Sequence, residues 1–286
     1  MNTTTMIGKV IAVALGSLAA WAVQAQERIA VPLTDPARPA VLEVNTFSAA
    51  VNVHAYDGKE VVIVAREATA EEIGRVDGRR GQRFRAEDDE DASSTTGLRR
   101  IPNTAIGLTA TEENNTVSVK TDLSRQPLAL DISVPRTTSV RAKTVNGGDL
   151  TVVGVSGEHE LSNVNGGIVA TDIAGSVVAS TTNGAVRATF TDVTAGKAMS
   201  FNSFNGDVDV TFPPNLAATL RVTSGRGEFY TDFDVTVQPQ PPVVVQGGRN
   251  GRYEVRLERE TVATVGRGGP DIRFKTFNGN VIVRKR

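Results

Sequence analysis

The sequence predicts an all-β chain, a right-handed parallel β-solenoid built from 18–22-residue repeats that turn on Asn-Gly. Three observations lead there. From residue 140 onward one phrase keeps returning, Asn-Gly followed by an apolar/polar alternation, at Asn146-Gly147, Asn165-Gly166, Asn183-Gly184, Asn205-Gly206 and Asn278-Gly279, with a weaker copy at Ser224-Gly225. The first core residues after these turns, Leu150, Ile168, Val186, Val208 and Phe229, lie 18, 18, 22 and 21 residues apart. A second turn divides each period at Gly157, Gly175 and Gly196, so a coil reads turn, strand, turn, strand. Stacked copies would set Leu150, Ile168, Val186 and Val208 in one inward ladder, ~4.8 Å apart. The hand follows from the crossover rule for parallel strands. Asn-Gly between alternating runs also fits the antiparallel hairpins of a sandwich or barrel. The near-constant 18-residue step favours stacking, because sandwich strands need not copy one another.

The first 25 residues read as a secretory signal peptide. Lys9 is the only charge before Glu27, Val10 to Val23 is apolar, and Val23-Gln24-Ala25 offers small residues for cleavage before Gln26. The apolar run would rise only about 21 Å as a helix, short of the ~30 Å hydrocarbon core, so a membrane-spanning anchor is not expected. Trp21, the single tryptophan, leaves with the signal.

Residues 26–40 read as an N-terminal linker, and 41–286 as a single β-solenoid domain. Val41 to Ala65 alternates as two opening strands that turn at Tyr56-Asp57-Gly58. Around Asn45 to Val53 the phrase lacks its turn glycine, marking a distorted or capping coil. At about 66–104 the pattern breaks. Arg79, Arg80, Arg83 and Arg85 precede the acidic run Glu87 to Asp91, which suits a solvated loop insertion or a docking segment for a charged partner. Gln238 to Pro242 reads as a stiff spacer. The chain closes on Arg284-Lys285-Arg286. This is either a polar tail or a charge block on an exposed final strand, and it predicts a monomer.

The run Leu130 to Val152, the Asn-Gly-x-Val/Ile repeats and the closing stretch Gly268 to Val283 resemble a family of exported bacterial β-strand-repeat proteins named putative adhesins, related in style to the head-domain adhesins. The resemblance covers roughly Val41 to Arg286, with a gap over the charged middle. It implies a β-helix-like fold and an envelope location, periplasmic or at the cell surface. It carries no catalytic residues to transfer.

Composition excludes much chemistry. A formal net charge of −1 rules out a basic surface for nucleic acid. The absence of cysteine removes disulfides, thiolate metal sites and thiol nucleophiles. Two histidines, His54 and His159, cannot build a three-His metal centre. His159 reads as an exposed strand or turn histidine, with no Gly-x-Ser-x-Gly partner that would make it a base. Gly266 to Pro270 lacks the lysine and hydroxyl of a phosphate loop and reads as a turn. Asp172, Asp192, Asp207 and Asp209 lack the dense nonapeptide spacing of a calcium roll. Asn114-Asn115-Thr116 is an incidental glycosylation sequon. No catalytic, cofactor-binding or metal-ligating residue is assigned, and no cofactor is expected.

The sequence thus points to a non-enzymatic exported envelope protein, adhesin-like or structural, presenting an extended surface to an unidentified envelope or cell-surface component. A β-helical carbohydrate-active enzyme is the alternative, poorly provided with sugar platforms by three tyrosines, Tyr56, Tyr230 and Tyr253. An envelope scaffold or stress component is the third reading.

Overall fold

The computed structural model describes residues 27–69, 71–72, 107–121, 127–239, 243–245, 254–256 and 260–286. The expected signal peptide, the runs Arg79–Arg85 and Glu87–Asp91, and residues 240–242 lie outside them.

Strict alternation of buried and outward residues sets the strands, because a pleat sends successive side chains to opposite faces. They form two layers. One runs β6 (Thr116–Thr121), β2 (Ala40–Asn45), β8 (Thr138–Lys143), β10 (Ser156–Asn165), the second half of β11 (Ile168–Asn183), β13 (Met199–Asn205), β21 (Asp271–Thr276) and β15 (Ala218–Ser224), all parallel. The facing layer runs β7 (Leu128–Pro135), β3 (Ala49–Tyr56), β9 (Leu150–Val153), the first half of β11, β12 (Val186–Val193), β14 (Val208–Phe212), β22 (Val281–Lys285) and β16 (Phe229–Thr231), also parallel. In β11 the chain passes from the second layer to the first, bending at Asp172 and Gly175, both with positive φ.

Antiparallel strands close both ends. β4 (Glu60–Glu67) lies on β7, β1 (Glu27–Pro32) on β4, and β5 (Leu108–Glu113) on β6. At the other end β20 (Glu260–Val265) lies on β15 and β17 (Val235–Gln238) on β20. Among the described residues, β18 (Val243–Val245) and β19 (Glu254–Arg256) pair with each other, apart from the main sheet.

These pairings correct the expected right-handed parallel β-solenoid. The molecule is all-β, but its 20-stranded sheet is mixed and barrel-shaped. Nor do the coils follow chain order. β2–β3 lies between β6–β7 and β8–β9, while β21–β22 lies between β13–β14 and β15–β16. The physical reason is that near-identical copies present near-identical edges, so a late copy can dock wherever its core residues match. The antiparallel strands then cover edges that would otherwise template further pairing.

Leu150, Ile168, Val186, Val208 and Val281 stand in register across the second layer. Behind them one apolar core joins the layers, with Phe190 stacked on Phe212, Phe201 stacked on Phe274, and edge contacts between the pairs. Residues 26–40, read as a linker, contain β1, and the Asn115 amide binds the backbone N–H and carbonyl of Asp35. The charge block is corrected too. β22 is an interior strand, and its tail is clamped by Arg284–Asp209 and Arg286–Asp172 ion pairs, both at 3.0 Å.

Candidate functional site

The site is built from the repeated turn. Motif glycines are required by close approach between coils. A Cβ on Gly184 would lie 2.4 Å from the Gly166 carbonyl, and one on Gly206 2.2 Å from that of Gly184. The motif asparagines have ordinary φ and instead use their side chains. Asn165 donates to the Asn146 amide oxygen at 2.5 Å. Asn183, Asn205 and Asn278 continue the chain of amides, each donating to the one before at 2.8 Å. Two residues earlier in each turn, an inward polar side chain ties one coil to the next. Thr181 donates to the Gly166 carbonyl at 2.7 Å, Ser203 to Gly184 at 2.8 Å and Thr276 to Gly206 at 2.9 Å, while the Asn163 amide donates to Gly148 at 2.9 Å. A hydroxyl or amide two positions before each Asn-Gly was the sequence signal for this buried row.

Between these two rigid rows, one side chain per coil points outward. Register places Phe47, Val145, Val164, Thr182, Phe204 and Phe277 in a line across β2, β8, β10, β11, β13 and β21. Five strand spacings make it about 24 Å long. Phe47 is 51% exposed, Phe204 50% and Phe277 43%. Phe204 and Phe277 stack with centroids 5.0 Å apart and planes 6° apart, and the Arg226 guanidinium sits 5.5 Å above the Phe277 ring. Exposed aromatic area of this kind is costly in water unless it is used.

The rest of that face is flat and of small polar residues: Ser162, Ser180, Ser200 and Asn202, with exposed Val178. At one end, Arg273 and Lys275 project from β21 beside Phe277, and Arg273 has no carboxylate nearer than Asp271 at 3.9 Å among the described residues. At the other end the charges are self-compensated, with Arg141 on Glu43 at 3.0 Å and Lys143 on Glu160 at 3.3 Å. The face thus gathers Arg226, Arg273 and Lys275 around the stacked rings, beside an Arg221 paired with Asp271 and Glu260, and carries paired charges across β2, β8 and β10.

The residues singled out in the sequence lie elsewhere. Asp172 and Asp209 pair with the C-terminal arginines, Asp207 accepts from the Asn280 N–H at 2.7 Å, and Asp192 caps the Val193 N–H. No group of three or more potential metal ligands occurs among the described residues. Gly266 to Pro270 forms the turn between β20 and β21. Asn114 and Asn115, both with positive φ, make the tight β5–β6 hairpin turn.

His159 is not exposed. It is 3% exposed, in register between Val140 and Val177 in the core row. Its Nε2 has no hydrogen-bond partner among the described residues, and its Nδ1 accepts from the Val140 N–H at 3.3 Å. Burial pushes its imidazole down to about 4, against a smaller opposing pull from the Ala174 backbone. It lines neither of two depressions on the described surface, of about 390 and 370 Å³, which are bordered by Tyr56 and Lys59 and by Glu43 and Glu113 respectively.

No family model matches the chain, and no curated protein matches it. Among solved structures it is similar to one from Clostridium sporogenes named a "putative cell adhesion protein", with 9% identity and a TM-score of 0.43 over 92% of this chain and all of the other. That likeness is too distant to carry either fold or function across. No helix among the described residues is long and apolar enough to cross a membrane.

Proposed function

We propose that the chain is a non-enzymatic exported envelope protein, adhesin-like or structural, that binds a cell-surface component through the face carrying Phe204 and Phe277. The observation that carries this reading is the exposed row from Phe47 to Phe277, held in place by the amide ladder on one side and the buried hydroxyl row on the other. A preorganised surface loses little freedom when it binds, and aromatic and arginine side chains supply most of the energy at such interfaces. The signal-like N-terminus supports export, and the N-terminal extension is removed before the protein acts. The mature chain acts as a monomer, without a cofactor and without binding nucleic acid. The acids of the sheet support a binding role over a hydrolytic one, since Asp172, Asp209 and Asp271 are engaged in ion pairs.

The test is binding of the labelled mature chain to isolated cell envelopes. Phe204→Ser with Phe277→Ser should abolish most of the bound fraction, whereas Tyr230→Ser, equally exposed on β16, should leave it unchanged. Equal binding by all three proteins contradicts the assignment of the face.

A further inference from the structure

We propose that the ligand of this face is an acidic polysaccharide, lying across the strands with its anionic groups at Arg226, Arg273 and Lys275. The inference rests on the binding role proposed above and names the chemistry of its partner. Three features of the face select that chemistry. The cations cluster at one end, around the stacked rings, and are not cancelled there as Arg141 and Lys143 are at the other. The adjoining surface of Ser180, Ser200 and Asn202 offers short hydroxyl and amide groups, which match the hydroxyls of sugar rings. Around the stacked rings the face also lacks a pocket: of the two described depressions, one lies off the face and the other, beside Glu43, sits at its far end, and neither is lined by Phe204, Phe277, Arg273 or Lys275. A protein partner anchors its dominant side chains in pockets, whereas a chain of rings can lie along a flat row of aromatic and hydroxyl groups.

The row is about 24 Å long, five strand spacings, so several sugar units can be in contact at once. Each contact is weak alone, and affinity comes from their sum along the polymer. The aromatic pair contributes apolar contact to the ring C–H surfaces. Arg226, held over Phe277 and paired with no carboxylate among the described residues, presents its guanidinium edge to a carboxylate or sulfate.

The experiment is titration of the mature full-length chain with polygalacturonate, dextran sulfate, neutral dextran and poly-L-glutamate at low salt. At least one acidic polysaccharide should bind about tenfold or more tightly than both neutral dextran and poly-L-glutamate, a difference of about 1.4 kcal/mol. The triple variant Arg226→Gln, Arg273→Gln, Lys275→Gln should lose that preference, and Phe204→Ser with Phe277→Ser should weaken the acidic polysaccharide about tenfold. All these side chains are exposed, and an unchanged melting temperature verifies that each variant folds. If poly-L-glutamate binds as well as the polysaccharides, the face is a site for acidic protein and the proposal falls. If no acidic polymer binds while envelopes still bind through Phe204 and Phe277, the glycan chemistry is wrong and the binding role stands. If envelopes do not bind either, both fall.

Discussion

The ring of Phe204 on β13 lies parallel to that of Phe277, just after β21, 5.0 Å centre to centre and 6° between planes, although seven strands, β14 to β20, come between β13 and β21 in sequence. The stack exists because β21–β22 enters between two coils that the chain laid down earlier. The exposed aromatic pair and the internal position of the C-terminus are therefore one structural fact.

The C-terminal strand should be indispensable. Deleting Val281 to Arg286 removes the parallel partner shared by β14 and β16 and both terminal ion pairs. Loss of the cooperative melt and appearance of dye-binding apolar surface are expected. A melting temperature within a few degrees of the parent would show that the strand is an appendage.

The turn glycines should be intolerant by crowding. Gly206→Ala drives a Cβ to 2.2 Å from the Gly184 carbonyl, between backbones that cannot separate without parting the coils. A loss of about 3 kcal/mol or more in chemical denaturation is expected. Gly196→Ala meets nothing within 4 Å and bears only the strain of φ +76°, about 1 kcal/mol. Equal losses at the two positions would refute close approach as the reason for the motif.

The buried hydroxyls should matter through their bonds. Thr181→Val keeps the shape but removes the donor to the Gly166 carbonyl, and should cost about 1 kcal/mol. The same change at exposed Thr182 should cost nothing measurable by the same denaturation assay.

His159 should make the fold acid-sensitive. Its folded value, about 4, lies below the ordinary histidine value of about 6.5, so the unfolded chain binds the extra proton first. The stability held above pH 6.5 is thus lost as pH falls toward 4, in total about 3 kcal/mol. His159→Leu, matching the aliphatic neighbours Val140 and Val177 in its row, should flatten that part of the pH profile. A profile with the same slope in the variant would assign the acid sensitivity to other groups.

How much of this was legible follows from the repeat itself. The phrase spacing identified the residues that stack, and Leu150, Ile168, Val186 and Val208 do stand in register. It did not reveal the order of the coils, because any copy offers the same edge to any other. A usable signal was present. Ser203-Phe204-Asn205-Gly206-Asp207-Val208 and Thr276-Phe277-Asn278-Gly279-Asn280-Val281 match position by position, down to the aromatic, and these are the two that lie side by side. The antiparallel ends were not legible, since β4 and β20 carry no trace of the phrase and are recruited by the edges they cover. The exposed aromatic row was missed because Phe47, Phe204 and Phe277 are distant in sequence and fall in one row only when the register is known. His159 was misread because its flanking glutamates, Glu158 and Glu160, point outward while alternation sends it into the core.

The out-of-order coil underlies the stacked rings, the last step of the amide ladder and the proposed binding face alike, and one cross-linking measurement tests it. The chain has no cysteine, so introduced pairs are unambiguous. Asn205→Cys with Asn278→Cys places the pair on bridged neighbours, about 4.8 Å apart at Cα and within reach of a disulfide. Asn205→Cys with Arg226→Cys places them two strands apart, about 10 Å, beyond that reach. Mild oxidation should close a bond within the monomer for the first pair and not for the second. Closure of the second pair but not the first would restore β15 to the side of β13 and contradict the structure on which the function is argued.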